Sequence, residues 1–390
     1  MTLMVLGADG YLGWPLAMRF AMKYDEPVVG VDNFSRRRRV WEMNSDSITP
    51  IQDMAVRTAV FKQITGREIQ FEYGDMRDYE FVENLIKKYK PRAIVHFAEQ
   101  PSAPYSMVDA RHAVETHENN VNGTLNLLFV LKKFAPDCHL IKLGTMGEYG
   151  TPGIDIPEGF FEIEYRGRKA TLPFPRQAGS FYHQTKVHDS NNIMLACKIW
   201  GIASTDVMQG VVYGTRTEET ALDPRLVTRF DVDESFGTAV NRFCAQAIIG
   251  MPLTPYGKGG QTRGYLNIMD TMRCITTLVD SPPQKGEYRV VNQLTEVFSV
   301  LQIAQKIKEI GDRLNLNVKI EAIPNPRVEA EEHYYNVDYK KLKDLGFTPI
   351  KTMDESIQYM LLDLLPNKQR VSEHREQIMP KITWKEGLLK

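Results

Sequence analysis

Residues 3–13, LMVLGADGYLG, decide the fold of this chain. Four apolar residues are followed by Gly7, Gly10 and Gly13, a G-x-x-G-x-x-G pattern at the junction of a predicted first strand and first helix. One glycine allows a tight turn, another lets the backbone approach a pyrophosphate, and the third lets the helix pack closely on the strand. The motif therefore predicts a dinucleotide-binding turn, although a glycine-rich turn without a cofactor has the same pattern.

A carboxylate at the end of the second predicted strand indicates which dinucleotide is bound. Asp32 lies about 20 residues after Gly13, where an acidic residue can accept hydrogen bonds from the adenine ribose. The basic run Arg36–Arg39 would instead favour NADP, because guanidinium groups bind phosphate well, or it could be a solvated helix start. Asp32 lies nearer the motif and would repel a 2′-phosphate, so we predict NAD as the cofactor and keep NADP as the alternative.

Short apolar runs alternate with helical patterns through the first half of the chain. They lie at residues 3–6, 28–31, 69–73, 93–97, 140–143 and 203–208. Repeated β-α-β units predict an α/β fold with a Rossmann-type, doubly wound parallel sheet and ligands at the carboxyl ends of its strands. We predict that residues 1–210 form an NAD-binding domain, with an insertion at 36–66 that contains a helix over 53–64.

The alternation weakens after Gly210, where Pro and Gly become more frequent. We predict that residues 211–390 form mainly a smaller, mixed α/β C-terminal domain that binds the substrate. An amphipathic helix is expected over 298–314, and the tail at 367–390 is expected to wrap the surface or extend as an arm.

Composition excludes several classes of protein. The chain is 43% hydrophobic and 25% charged, and its 48 Lys and Arg balance 49 Asp and Glu. These values are typical of a globular protein and give no net field for nucleic acid, so small-molecule partners are expected. No run approaches the roughly 20 apolar residues of a membrane span, and the histidines and four cysteines lack metal-ligand spacing. We expect buried thiols, no metal and a cytoplasmic location, or the plastid stroma if a transit peptide has been removed.

Candidate redox residues lie between the fifth and sixth predicted strands. Tyr182 and Lys186 are four residues apart, which places them on one face of a helix. This spacing is common by chance, and Tyr165 with Lys169 is a second example, but only Tyr182 opens a helical segment, at 184–200. A nearby ammonium would favour the phenolate that takes a proton from a substrate hydroxyl. Thr145, just after the fifth strand, would bridge the substrate oxygen and Tyr182.

Together these motifs resemble the extended short-chain dehydrogenase/reductases that act on nucleotide sugars. The resemblance spans nearly the whole chain and also rests on Gly74-Asp75, Asn119–Thr124 and Val212-Tyr213-Gly214. It implies NAD contacts from Gly7, Asp9, Gly10, Tyr11, Leu12, Gly13, Asp32, Asn33, Arg36, Asp75, Met76, Phe97, Ala98, Glu99, Asn119, Tyr182, Lys186 and Gln209. It further implies that Asn119 supports the active-site helix.

The same resemblance implies a substrate site for a nucleoside diphosphate sugar. Its expected residues are Gln100, Thr145, Gln209, Arg263 and Arg327. The two arginines fall in the segments 259–263 and 326–330, where such enzymes hold the diphosphate.

Departures from the family pattern indicate a branch within it. Sugar 4,6-dehydratases carry Asp and Glu directly after the catalytic Thr, whereas this chain has Met146 and Gly147 there, followed by Glu148. Together with the segments 96–100 and 102–107, this pattern resembles the branch that converts UDP-glucose and sulfite into a UDP-sugar sulfonated at C6. That activity runs through a 4-keto enone and transient reduction of NAD, in sulfolipid or glycan biosynthesis.

Two residues are candidates for the proton transfers of the elimination step. We predict Glu148 as the principal acid and His183 as a second candidate near the sugar. Glu148 could instead be a surface carboxylate, and His183 could only satisfy a backbone carbonyl. The positive potential that sulfite needs could come from Arg36–Arg39 or from protonated His183.

Other functions share most of these residues. An NAD-dependent UDP-glucose 4,6-dehydratase or 4-epimerase would use the same cofactor residues. A non-catalytic NAD-binding sensor is an alternative from another class, although it would not need Thr145, Tyr182 and Lys186. By analogy with relatives that pair through a helix bundle, we expect a homo-oligomer.

Overall fold

The computed structural model describes residues 1–327 and 334–384. Its strands are β1 Thr2–Leu6, β2 Val28–Asp32, β3 Ile69–Tyr73, β4 Pro91–His96, β5 His139–Leu143, β6 Phe160–Tyr165, β7 Arg168–Pro173, β8 Ala203–Gln209, β9 Val211–Tyr213, β10 Thr262–Asn267, β11 Tyr288–Gln293 and β12 Glu296–Ser299. Its α-helices are α1 Gly13–Lys23, α2 Ser35–Glu42, α3 Met54–Thr65, α4 Tyr79–Tyr89, α5 Ala110–His117, α6 Gly123–Phe134, α7 Phe181–Trp200, α8 Ala239–Ile248, α9 Ile268–Asp280, α10 Val300–Arg313, α11 Lys341–Asp344, α12 Met353–Leu364, α13 Lys368–Glu373 and α14 Arg375–Ile378.

Seven strands form a central sheet in the order β11-β8-β5-β4-β1-β2-β3. Every pairing in this sheet is parallel. Apolar side chains from α1, α3 and α9 form a core on one face, and those from α4, α6 and α7 form a core on the other. The predicted doubly wound, Rossmann-type sheet is confirmed. The order in which strands are added to the sheet reverses between β1 and β4, and open α/β sheets bind ligands at such a point.

A smaller mixed sheet and a helical core complete the molecule. Strands β12, β10 and β9 form a three-stranded sheet, in which β10 is antiparallel to β12 and parallel to β9. Helices α8, α10 and α12 share a separate apolar core beside it. Helix α10 begins later than the predicted 298–314 because Ser299 and Gln302 form a capping box, which leaves Phe298 in β12.

The two domains do not separate at residue 210, because elements after it belong to the first domain. Helix α9 packs on the face of the central sheet, and β11 pairs with β8 at its edge. The second half of the chain therefore contributes a helix and a strand to the first domain before it completes the smaller one. At the C-terminus, Val371 and Ile378 are buried in the core of the smaller domain, so the described part of the tail packs on the surface rather than extending as an arm.

The insertion between β2 and β3 carries α2 and α3, and α3 matches the helix predicted at 53–64. A second insertion, between β5 and α7, contains an antiparallel hairpin of β6 and β7 that the sequence analysis missed. All four cysteines are buried free thiols, as predicted. Among the described helices, none is both long and apolar enough to cross a membrane.

Candidate active site

One cavity of about 650 Å³ opens at the carboxyl ends of the central strands. It brings together most of the predicted site residues, from both halves of the chain. Those that line it are Gly7, Gly10, Tyr11, Leu12, Gly13, Asp32, Asn33, Arg36, Asp75, Met76, Phe97, Ala98, Glu99, Asn119, Thr145, Tyr182, His183, Gln209, Arg263 and Arg327. Four predicted residues lie behind the cavity wall instead: Asp9, Gln100, Glu148 and Lys186.

The glycine-rich turn has the close packing that its sequence predicts. Gly7 has φ of 85°, and a Cβ atom there would lie 2.7 Å from the backbone carbonyl carbon of Phe97. A Cβ atom on Gly13 would lie 1.9 Å from the carbonyl oxygen of Gly7. Helix α1 begins at Gly13, so its N-terminal amides face the cavity floor. This cradle fits the pyrophosphate of a dinucleotide.

Asp32 ends β2 at the cavity wall, where an adenine ribose would lie. Its carboxylate accepts hydrogen bonds from the backbone amides of Asp9 at 2.9 Å and Phe34 at 2.7 Å. These bonds orient both oxygens, each of which can accept a further bond. Burial raises the pKa of Asp32 to about 6, and the negative charge of Asp9 acts in the same direction. The arrangement fits NAD.

Asp9 does not face the cofactor cavity, contrary to the sequence prediction. It is buried, and its carboxylate forms ion pairs with Arg37 at 2.7 Å and Arg57 at 3.0 Å. Two guanidinium groups therefore hold this side chain on the outer side of the glycine turn. Only the backbone of Asp9 supports the site, through Asp32.

Three of the four arginines in the run pair with carboxylates, and Arg38 is the exposed one. Arg36 pairs with Asp231 at 2.7 Å, and Arg39 pairs with Glu115 at 2.9 Å. These two side chains line the cavity, because positions three apart share a face of α2. Arg37 and Arg38 do not line the cavity.

Helix α7 presents the tyrosine of the predicted redox site. Its first turn is fixed by Ser180, whose Oγ accepts a hydrogen bond from the His183 amide at 3.2 Å, and by Ser106, whose Oγ accepts one from the Tyr182 amide at 3.0 Å. The Tyr182 ring is buried and lines the cavity. Burial raises the pKa of Tyr182 above its usual value, as do the negative charges of Glu148 and Asp189. The surrounding protein thus keeps this phenol protonated.

Lys186 lies one helical turn further along, just behind the cavity wall. Its Nζ donates a hydrogen bond to the Leu143 carbonyl at 2.6 Å and contacts the carboxylate of Glu99, which lines the cavity. Burial lowers the pKa of Lys186 to about 8, against the opposing charges of Asp189 and Asp206. The ammonium therefore has carboxylate and carbonyl partners between the cofactor cavity and helix α7.

Asn120, rather than Asn119, supports the active-site helix. The Nδ2 of Asn120 donates to the hydroxyl of Thr185 on α7 at 2.9 Å, whereas Asn119 lines the cavity and accepts a bond from Arg39. Both residues belong to a π-helical turn at 118–122, which shifts the two side chains relative to a regular helix.

Gln100 is also part of this scaffold and not a substrate residue, contrary to the prediction. It is fully buried, donates to Ser102 and Thr116, and its backbone amide donates to Asn120 Oδ1 at 2.7 Å. Its neighbours Glu99 and Pro101 line the cavity instead.

Glu148 is neither a surface carboxylate nor a group that faces the sugar. It is fully buried behind Thr145, where it closes a capping box with that residue. Its oxygens pair with Lys142 at 3.2 Å and Arg176 at 3.1 Å and accept a bond from Ser190 at 2.9 Å. The prediction of direct proton transfer by Glu148 is therefore corrected, because its carboxylate holds the Thr145 turn from behind.

His183 takes the space that an acidic side chain at position 147 would occupy. A Cβ atom on Gly147 would lie 2.3 Å from His183 Nε2, so the imidazole requires glycine there. Its Nδ1 is 2.9 Å from the Ser180 hydroxyl. Burial lowers the pKa of His183 to about 3, as do the charges of Arg327 and Arg263, so it is neutral at physiological pH and gives no cation for an anionic substrate.

The far end of the cavity comes from the smaller domain. Arg263 on β10 and Arg327 line it, as predicted for a diphosphate site, whereas residues 328–330 of the predicted segment lie outside the described residues. Arg242 on α8 and Tyr256 also line this end, and Arg242 donates to the Tyr256 hydroxyl at 2.7 Å. Neither was predicted, because a lone Arg on a helix and a lone Tyr in a loop carry no sequence signal.

This combination of a glycine cradle, an acidic residue after β2 and a Thr-Tyr-Lys group defines a class of dinucleotide-dependent enzymes. The sequence model of the NAD dependent epimerase/dehydratase family matches residues 3–292, and the chain belongs to that family.

Two relatives indicate a narrower group within this family. The chain is 51% identical over 383 residues to the chloroplastic UDP-sulfoquinovose synthase of Spinacia oleracea, covering 98% of this chain and 79% of the relative. It is 49% identical over 386 residues to the UDP-sulfoquinovose synthase of Sulfolobus acidocaldarius, covering 99% and 98%. Within the family it therefore groups with the UDP-sulfoquinovose synthases, as enzymes that act on a UDP-sugar.

Solved structures support the fold. A UDP-glucose 4-epimerase from Thermotoga maritima, crystallised with UDP-glucose, matches with a TM-score of 0.71 and 19% identity over 95% of this chain and all of its own. A UDP-glucuronic acid 4-epimerase from Bacillus cereus, in complex with UDP-glucuronic acid and NAD, matches with a TM-score of 0.70 and 20% identity.

Proposed function

We propose that this chain converts UDP-glucose and sulfite into UDP-sulfoquinovose and water, with NAD as a recycled cofactor. The observation that carries the proposal is the replacement, at position 147, of a dehydratase-type acid by Gly147 and the imidazole of His183. This feature is combined with an intact Thr145, Tyr182 and Lys186. The site thus retains the groups for oxidation at C4 and has a different group for chemistry at C5 and C6.

The cavity supplies what NAD binding requires. The Gly7–Gly13 cradle would hold the pyrophosphate, and Asp32 would accept bonds from the adenine ribose. Lys186, behind Glu99, would hold the nicotinamide ribose. When bound, NAD supplies a hydride acceptor for C4 of the sugar and a positively charged ring beside Tyr182, and it returns the hydride at the end of the cycle.

Tyr182 and Thr145 would act on the C4 hydroxyl. With NAD bound, Tyr182 would act as the phenolate that Lys186 and the positive nicotinamide ring favour; it takes the proton of this hydroxyl as C4 is oxidised, and Thr145 holds the oxygen by a hydrogen bond. The resulting ketone acidifies the proton on C5, so water can be eliminated across C5 and C6. Sulfite then adds to C6 of the enone, and Tyr182 returns its proton to O4 when C4 is reduced.

His183 would move the proton between C5 and the leaving hydroxyl. The two arginines that help to lower its pKa also line the end of the cavity where the diphosphate would lie. A bound diphosphate would neutralise Arg263 and Arg327, so the imidazole would become more basic when the substrate arrives.

Sulfite would be attracted by guanidinium groups. Arg36 and Arg39 line the cavity at the cofactor end, and Arg242, Arg263 and Arg327 line it at the substrate end. Since His183 is neutral, these arginines are the source of positive potential among the residues that the structure describes.

The decisive experiment is mass spectrometry of the products that the purified protein makes from UDP-glucose with and without sulfite. A UDP-sugar that gains a sulfonate and loses a hydroxyl, only in the presence of sulfite, is expected. A dehydrated or epimerised UDP-sugar in both reactions would identify the protein as a 4,6-dehydratase or 4-epimerase, and no turnover would favour a sensor.

Replacing His183 with glutamine is expected to lower turnover by about 10²-fold or more, because glutamine can bond Ser180 but cannot carry a proton. UDP should still bind. Reaction in deuterated water separates this role from a structural one: the wild-type protein should incorporate deuterium at C5, whereas the variant should incorporate little although oxidation at C4 persists. Equal exchange in both proteins would contradict the role.

A homodimer would cover an apolar surface on α5 and α7. Val114, Phe181, Leu195 and Ile199 are about half exposed on these two neighbouring helices. Two copies could bury these side chains in a helix bundle, because exposed apolar patches favour association. Leu195→Glu is expected to give monomers in analytical ultracentrifugation, whereas Val56→Glu, on α3, should not. A monomeric wild-type protein would contradict the proposal.

A further inference from the structure

The C-terminal segment contributes an aromatic side chain to the cavity. Trp384 is half-buried and lines the cavity at its substrate end, far in sequence from the catalytic residues. Its backbone amide donates a hydrogen bond to the carbonyl of Pro326 at 3.0 Å. The guanidinium carbon of Arg327 lies 5.1 Å from the centre of the Trp384 ring. The tail is thus attached next to an arginine expected to bind the substrate.

A second attachment fixes the same segment further back. Glu234 lines the cavity, and its Oε2 accepts hydrogen bonds from the backbone amides of Lys381 and, at 2.9 Å, Ile382. The Glu234 amide donates to the Gln377 carbonyl at 2.8 Å. A carboxylate that accepts bonds from two amides holds a segment firmly, because hydrogen bonds to a charged group are stronger than neutral ones. Segment 377–384 is therefore fixed to the cavity wall at two places.

Arg327 has aromatic rings as neighbours on this wall. Its guanidinium carbon is 5.8 Å from the ring of Tyr256 and 5.1 Å from that of Trp384. Packing against aromatic rings restricts the orientation of a guanidinium plane, and guanidinium groups bind phosphate well. The hydroxyl of Tyr256 is itself fixed by Arg242. Trp384 would thus hold Arg327 in the orientation that a diphosphate needs.

We propose that Trp384 is a positioning residue that holds Arg327 for the UDP part of the substrate, and that segment 377–384, fixed by Glu234, forms one wall of the substrate site. This inference rests on the proposed function, because it takes a UDP-sugar as the ligand. It assigns a role to a residue that carries no family motif and acts at a distance from the reacting carbons, so it should affect KM more than kcat.

Titration calorimetry with UDP and the full-length protein tests the inference without any catalytic step. Trp384→Leu is expected to raise the Kd for UDP about fivefold to thirtyfold, the loss of a partly desolvated cation–π contact. Glu234→Ala should also raise the Kd for UDP. Trp384→Phe keeps an aromatic face and should bind UDP with nearly the affinity of the wild-type protein. Trp41→Leu is the matched control, because Trp41 is exposed on α2 and lies outside the cavity lining.

The outcomes separate this inference from the proposed function. If wild-type protein fails to bind UDP, the proposed function fails. If wild-type protein binds UDP and Trp384→Leu binds it with the same Kd, only the role of Trp384 is overturned. Should Trp384→Leu not fold, Glu234→Ala decides, because it releases the segment without removing a ring, and an unchanged Kd then overturns the proposal.

Discussion

Replacing Tyr182 with phenylalanine is expected to lower the turnover of UDP-glucose by about 10²- to 10⁴-fold, the usual contribution of a positioned acid–base group. The change removes one oxygen from a buried ring and leaves the ring in place, so the fold should persist. Binding of UDP should also persist, because the change leaves the arginines that line the cavity in place. The measurement is kcat for sulfonated product, with the Kd for UDP measured beside it.

The chain offers a matched control for this variant. Tyr165 and Lys169 have the same four-residue spacing, but they lie in the exposed hairpin of β6 and β7. Tyr165→Phe should therefore leave kcat unchanged. Equal activity of Tyr182→Phe and wild-type protein would contradict the assignment of the proton transfer to Tyr182, whatever product is formed.

The sequence predicted the fold well because the signals for it are local. The alternation of apolar runs fixes strands and helices, and Gly7 and Gly13 tolerate contacts that no other residue permits. Asp32 follows the second strand directly, so its place at the strand's carboxyl end follows from chain order alone. These features need no knowledge of distant partners.

Predictions about individual side chains failed where a distant partner sets the direction. Glu148 turns away from the cavity because Lys142 and Arg176 lie behind it, and Arg176 comes from an insertion with no motif. Asp9 turns away because Arg57, from the first insertion, pairs with it. Trp384 reaches the cavity only because Glu234 and Pro326 hold the tail there. None of these contacts has a spacing that a sequence pattern could show.

A large loss of stability is expected when Lys142 is replaced, because it lies at the centre of the buried charges behind Thr145. Its Nζ lies 3.2 Å from Glu148 and 3.5 Å from Asp206, and it donates to the Lys186 carbonyl at 3.1 Å. Burial disfavours its charge, but Asp206 and Glu148 hold the pKa of Lys142 above its usual value. Lys142 thereby joins the end of β5, which carries Thr145, to helix α7, which carries the redox pair.

Lys142→Met is expected to lower the free energy of unfolding by about 3–5 kcal/mol, because it removes a cation that pairs with the buried carboxylates of Glu148 and Asp206. Urea unfolding measures this loss. Lys62→Met is the control: Lys62 pairs with Glu68 at 3.2 Å on the exposed surface, where such a pair contributes about 1 kcal/mol or less.

The pH dependence of the same variant tests whether charge is the cause. Without Lys142, the pKa of Glu148, which burial already raises, should rise further, and the pKa of Asp206, which is held below its usual value, should rise as well. Carboxyl groups with raised folded pKa values favour folding at low pH and oppose it as pH rises, so the loss of stability should be smaller at pH 5 than at pH 8. Lys142→Met combined with Glu148→Gln should recover part of it, because one uncompensated charge is then removed. A loss that is equal at both pH values and unchanged in the double variant would instead indicate a packing defect, since a cavity does not titrate.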